Sequence, residues 1–239
     1  MSGHSKWAKL KHFKGALDAK KSAMFTKLGH AVTIAAKEGG GDLETNFKLR
    51  LAIEKARKAN LPKDNIDRAI KRGTGELGGE QIEEVVYEAF GPSGTTLIIE
   101  ALTDNKNRTV SSLRRIFNKY GGSLGSQNSV IWKFEKRGVI RILKEEVNDK
   151  LEEIELKVID LGAEDIKNEE EELVIYTKLD DLERIKKGIE NDINIEYAEM
   201  EWFAKDPLKI DEATQAKIDN ISSELDEDQD ISDYYTNIE

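Results

Sequence analysis

Val85-Val86-Tyr87-Glu88-Ala89-Phe90, Gly91-Pro92-Ser93-Gly94, Thr95-Thr96-Leu97-Ile98-Ile99-Glu100 is the stretch on which the fold turns. It is rich in β-branched and aromatic residues and repeats with period 2. Its centre is a Gly-Pro-Ser-Gly turn, so it reads as two strands of a hairpin. Before it, apolar residues recur at helical spacing. After it, strand-like and helix-like patterns alternate. The change near residue 80 therefore separates a helical part from a mixed part, and the fold class is α+β with several domains.

On the N-terminal side, residues 1–17 read as a basic arm. Asp18 is placed to cap a helix running to Glu38, with Phe25, Leu28, Val32 and Ala35 as its apolar stripe. Gly39-Gly40-Gly41 stops it. Asn46 can cap a second helix that ends near Ala59, and Leu61-Pro62 breaks the chain before a third. In the third, Ile66, Ala69 and Ile70 face inward and Gly73 supplies a left-handed stop. These elements predict a three-helix domain over residues 1–78.

On the C-terminal side, Asn107 can cap a helix through Val110, Leu113, Ile116 and Phe117, which Gly121-Gly122 ends. Ser129 to Glu135 reads as a strand with Trp132 and Phe134 on one side. Residues 139–203 then spell β-α-β-β-α-β: a strand at Val139–Leu143, a helix at Val147–Leu161, a hairpin of Ala163–Asn168 and Leu173–Lys178, a helix at Asp181–Asn191 and a strand at Ile195–Phe203. That is the ferredoxin-like order. A helix at Glu212–Leu225 and a short strand near Asp233–Asn237 cannot make a core alone, so they return to the sheet of residues 80–135. The expected organisation is a discontinuous α/β domain, 79–135 plus 206–239, with a ferredoxin-like domain, 136–205, inserted into it.

The 239 residues carry a net charge of -10, with 35% charged and 38% hydrophobic residues, which fits a folded protein of two or three domains. There is no cysteine, which removes disulfides, thiolate nucleophiles and Cys-bound zinc. The start, Met1-Ser2-Gly3-His4, has no apolar signal segment, and no apolar run reaches the ~20 residues of a membrane helix. A cytoplasmic protein without a membrane partner is expected. The net charge conceals a split. Residues 1–75 hold 17 Lys/Arg against 7 Asp/Glu, a net of +10, and residues 76–239 hold 20 against 40, a net of -20. A basic part of this kind docks on a polyanion, while the acidic remainder is repelled and orients the molecule.

The nucleic-acid-binding candidates follow from that split. His4, Lys6, Trp7, Lys9, Lys11, His12 and Lys14 form the arm, and Lys20, Lys21 and Lys27 continue it along the first helix. Residues 1–37 contain a single acid, Asp18, whereas a merely solvated surface mixes signs. The lysines therefore read as phosphate contacts. Trp7 either stacks on an unpaired base, worth ~1–3 kcal/mol, or anchors in the helical domain. His4 and His12 are read as phosphate or base donors. With His30 they show neither the i, i+4 pair nor the carboxylates of a metal site. Arg57, Lys63, Arg68, Lys71 and Arg72 are secondary candidates, though dipole complementarity already accounts for Lys71 and Arg72 late in their helix. Lys106 and Arg108 stand at a helix start, where free N–H groups can hold phosphate, set against ordinary Asn capping.

Enzymatic readings find no support. Gly73-Thr74-Gly75-Glu76-Leu77-Gly78 spells G-x-G-x-x-G but follows a helix, not a strand. Gly122-Ser123-Leu124-Gly125 is read as a cap and turn rather than a nucleic-acid clamp. No nucleophile elbow, zinc-protease motif or phosphate loop occurs, so a non-enzyme with no cofactor and no small-molecule substrate is expected. The ferredoxin-like stretch, 137–205, holds 11 Lys/Arg against 21 Asp/Glu. A protein partner, or self-association, suits it better than nucleic acid.

Gly3-His4-Ser5-Lys6-Trp7, Phe25-Thr26-Lys27-Leu28, Leu51-Ala52-Ile53-Glu54-Lys55-Ala56-Arg57, Pro62-Lys63-Asp64-Asn65-Ile66, Ala69-Ile70-Lys71-Arg72-Gly73-Thr74-Gly75 and Thr103-Asp104-Asn105-Lys106-Asn107-Arg108-Thr109 together resemble the YebC/PmpR family over nearly the whole chain. The resemblance implies three domains, a cytoplasmic location and a DNA-binding transcriptional regulator. Some members of that family resemble translation factors at the ribosome, so ribosomal RNA is the alternative target, and an acidic protein–protein adaptor is a third reading. Phe13 and Lys21 depart from the pattern, which has Arg there. At position 13 the change removes a bidentate phosphate fork.

Overall fold

The computed structural model describes residues 18–78, 81–147 and 150–239. The chain forms two compact units. One runs to Trp132 and resumes over Pro207–Glu239, and the other is Lys133–Asp206.

The first unit begins with three helices, α1 (Asp18–Gly39), α2 (Phe47–Lys58) and α3 (Lys63–Gly73). Phe25, Leu28, Val32 and Ala35 form one stripe of α1. It packs on Leu49, Ile53 and Ala56 of α2 and on Ile66 and Ala69 of α3. Asn46 is buried and works in two directions. Its Oδ1 accepts from the Leu49 N–H at 2.9 Å, which caps α2, and its Nδ2 donates to the carbonyls of Ala35 at 2.8 Å and Gly40 at 2.7 Å. One amide thus satisfies free groups at two helix ends. Asp18, expected as a cap, is already the first described residue of α1.

Gly73 does not stop α3 as the sequence suggested. It is helical, and Gly75, with φ +81°, takes the left-handed conformation. Gly73 is required for another reason: a Cβ there would lie 2.3 Å from the Thr33 carbonyl oxygen and 2.7 Å from Ala36 Cβ. The Thr33 hydroxyl donates to the Ala69 carbonyl at 3.1 Å across the same crossing. α3 lies this close to α1 because both carry small residues there.

The rest of the first unit is a four-stranded antiparallel sheet, ordered β3-β1-β2-β8, from β1 (Glu83–Phe90), β2 (Thr96–Thr103), β3 (Ser123–Leu124) and β8 (Ile231–Thr236). Alternation puts Ala89, Leu97, Ile99 and Tyr234 on one face. There they pack against Leu113, Ile116 and Phe117 of α4 (Lys106–Lys119) and Ile218, Ile221 and Leu225 of α8 (Glu212–Glu227). α8 and β8 thus do return to the sheet that the earlier hairpin begins. On the other face, Leu102 and Ile82 meet Ile34 of α1.

Two local expectations change here. The cap of α4 is Asn105, not Asn107: its Oδ1 accepts from the Arg108 N–H at 3.1 Å. Residues 129–135 are not one strand. The buried carboxylate of Glu88 accepts the N–H groups of Asn128 and Val130 at 2.6 Å and of Ile131 at 2.8 Å, which bends this segment around an anion. A 3₁₀ turn (Ile131–Lys133) follows, with Trp132 63% exposed, and the strand starts at Phe134.

The second unit consists of β4 (Phe134–Leu143), the short α5 (Lys144–Val147), α6 (Leu151–Asp160), β5 (Asp165–Asn168), β6 (Glu172–Thr177), α7 (Leu182–Ile189) and β7 (Tyr197–Ala204). The helix expected over 147–161 is therefore two pieces. Strand order is β5-β6-β4-β7 with every neighbouring pair antiparallel, as the β-α-β-β-α-β order requires. Ile140, Ile142, Leu173 and Ile175 pack on Ile154 and Val158 of α6 and on Leu182, Ile185 and Ile189 of α7.

Candidate nucleic-acid interface

The helical head of the first unit carries a groove of about 560 Å³ between α1 and α3. Lys21, Phe25, His30, Asn65, Arg68 and Arg72 are among its lining residues. Asn65, Arg68 and Arg72 stand at i, i+3 and i+7, so one face of α3 supplies them. Asp64 and Asp67 fall on the neighbouring face. The lining contains no carboxylate. Lys21, Arg68 and Arg72 are exposed, and among the described residues none of the three makes an ion pair. Lys21 sits over the Phe25 ring, with Nζ 5.7 Å from its centroid. That contact keeps the cation beside the groove without neutralising it.

His30 is fixed at the back. Its Nδ1–H donates to the Leu102 carbonyl at 2.8 Å, since a carbonyl can only accept. Burial pushes its pKa below the ordinary value, which favours the neutral ring. Leu102 itself donates its N–H to the Asp230 carbonyl at 2.8 Å, which ties this wall to the sheet.

The other sequence candidates separate by what they touch. His4, Lys6, Trp7, Lys9, Lys11, His12 and Lys14 lie outside the described residues, and of Lys20 only the backbone, in α1, is described. Lys27 does not face an open groove. Its ammonium donates to the carbonyls of Leu225 at 3.2 Å and Asp226 at 2.7 Å, at the negative end of α8. Arg57, Lys63 and Lys71 are exposed but do not line the groove. The phosphate reading of the α4 start gives way to a structural one. Arg108 forks onto Asp230 at 2.6 and 3.0 Å and reaches Asp104 at 2.8 Å, and Lys106 pairs with Glu83 at 2.7 Å. The Asp104 and Asp230 carboxylates already neutralise Arg108, and the Asp230 hydrogen bonds push its pKa up.

Sequence reading missed Asn65 and the second role of Phe25. The signal was present: the spacing of Asn65, Arg68 and Arg72, with both nearby acids kept to another face.

This combination defines a multi-domain α+β protein with a cation-lined helical head and a ferredoxin-like second unit. The comparisons agree with that class. The sequence profile described as TACO1/YebC protein N-terminal domain matches residues 5–76, and the one described as TACO1/YebC second and third domain matches residues 82–238. The chain belongs to the TACO1/YebC family. It is 48% identical over 240 residues to a probable transcriptional regulatory protein of Thermoanaerobacter pseudethanolicus, covering 100% of this chain and 97% of that one. A probable transcriptional regulatory protein of Thermotoga maritima is 48% identical over 239 residues, covering 100% and 94%. The crystal structure of a conserved hypothetical protein from Aquifex aeolicus superposes with a TM-score of 0.82 at 41% identity, covering 98% of this chain and 97% of that one. No described helix is long and apolar enough to cross a membrane.

Proposed function

We propose that this chain is a non-enzymatic, cytoplasmic regulator that binds nucleic acid through its helical head. The observation that carries the reading is the α1/α3 groove, where, among the described residues, Lys21, Arg68 and Arg72 make no ion pair and the lining holds no acid. The lysine-rich residues 6–21 lead into the same end of α1. Cations left unneutralised in this way gain most from phosphate, by releasing its condensed counterions. The names of the relatives favour transcription, and hence duplex DNA as the target. The test is fluorescence anisotropy against duplex DNA and against a folded ribosomal RNA fragment, each titrated over a range of salt. Duplex binding with a negative log-salt slope is expected, weakened at least ~10-fold in Arg68→Glu/Arg72→Glu, with the slope reduced by about 2. Tight binding to the RNA fragment alone would move the target to the ribosome. Unchanged affinity of the double variant for both would remove the groove from the interface.

A further inference from the structure

α6 has two apolar faces. Ile154 and Val158 lie in the core of the second unit, with Leu151 and Leu161 packed beside them. Leu156 and Ile159 fall on the opposite side of the helix and are 65% and 55% exposed. A helix that only has to cover a sheet keeps its outer face polar. Here two large aliphatic side chains stand next to each other in water, three residues apart.

Their surroundings are mainly acidic. Glu152 and Glu153 stand one turn before Leu156, Glu155 one turn before Ile159, and Asp160 one turn after Leu156. Among the described residues none of these four carboxylates makes an ion pair. Lys157, the one cation within the helix, is bound to Asp192. An apolar centre inside a charged rim is how a protein interface is built.

The negative rim decides what fits. Nucleic acid is repelled. A second copy docking the same face on itself would bring the four carboxylates against their own counterparts, because a two-fold contact pairs like with like. We propose that the Leu156/Ile159 face of α6 docks a basic amphipathic helix of a partner protein. The partner's apolar stripe would cover Leu156 and Ile159, and its flanking Lys or Arg residues would meet Glu152, Glu153, Glu155 and Asp160. This inference is independent of the nucleic-acid reading, since it uses a different unit of the protein.

The full chain is titrated with labelled synthetic helices of about five turns, carrying Leu at i and i+4 between flanking lysines. A scrambled peptide of the same composition and a Glu-flanked version serve as probes of charge and pattern. Saturable binding of the Lys-flanked helix is expected, with amide shifts concentrated in α6. The affinity falls at least ~10-fold in Leu156→Ser/Ile159→Ser. The salt-dependent part of binding shrinks in Glu152→Gln/Glu153→Gln/Glu155→Gln. Thermal melts of the variants stay near that of the parent, because the altered side chains are on the surface. The proposal is overturned if the scrambled peptide binds equally, if the Glu-flanked peptide binds as well, or if the shifts lie elsewhere. It is equally overturned if the serine variant binds unchanged, or if sedimentation finds a dimer that the serine variant abolishes, since a second copy then covers the face.

Discussion

Arg72 and Gly73 are neighbours at the end of α3 with opposite constraints. Arg72 is exposed in the groove, and its side chain can change with little effect on folding. Gly73 cannot take a side chain without moving α1, because a Cβ there would lie 2.3 Å from the Thr33 carbonyl oxygen. Gly73→Ala is expected to cost about 1–3 kcal/mol through forced separation of α1 and α3, read as a lower Tm in calorimetry. Arg68→Glu/Arg72→Glu should leave Tm nearly unchanged while reducing nucleic-acid affinity. A double variant that melts as early as Gly73→Ala would mean that these arginines hold the head together. At this scale some residues were legible. Asn46 as a cap follows from its type and its place before an apolar run. Lys27 was not legible, because its partners, the carbonyls of Leu225 and Asp226, are about two hundred residues away in the chain. Glu88 reads in sequence only as part of a strand, and only the fold shows three backbone donors converging on it.

Between elements, one carboxylate of α8 gathers three donors from α4 and its C-terminal cap, beside the apolar packing of the two helices. Glu224 accepts from Lys119 at 2.7 Å, Tyr120 at 2.8 Å and Arg115 at 2.8 Å. The hydrogen bond from Lys119, followed by that from Tyr120, holds its pKa at about 2, below the usual 4.5. A carboxylate with a depressed folded-state pKa stabilises fully above its unfolded value, and that stabilisation disappears as pH falls. Stability should therefore decline from about pH 4.5 towards pH 2, with a loss of about 1–2 kcal/mol at this partly solvated site. Glu224→Gln should flatten that part of the profile in denaturant titrations at several pH values. An unchanged profile would show that Glu224 does not link folding to pH. Periodicity made most elements legible but not their ends. The expected strand at 129–135 had the right alternation, yet the Glu88 carboxylate captured its backbone donors before a neighbouring strand could. The groove was less legible, since it needs α1 and α3 side by side, and that packing depends on Gly73 and Thr33 rather than on any motif.

For the whole molecule, the division of charge between residues 1–75 and the remainder predicts how binding responds to salt. Removing residues 1–17 takes away Lys6, Lys9, Lys11 and Lys14. If each meets a phosphate, the log-salt slope on duplex DNA falls by about 3–4, while the groove arginines retain a weaker residual affinity. An unchanged slope would place the arm away from the phosphates. The order of strands in the first sheet has a different bearing, on how the protein is made. β2 pairs with β1 almost at once, but its other neighbour is β8, Ile231–Thr236. At ~5–20 residues per second, that partner reaches β2 roughly 6–25 s later during synthesis. Until then the Leu97–Ile99 segment has an open edge able to recruit a foreign strand. The inserted second unit, with its own local pairings, can form meanwhile. A chain interrupted before β8 therefore leaves the ribosome with the β2 edge uncovered, and it is a natural client for a holding chaperone rather than a slightly shortened protein.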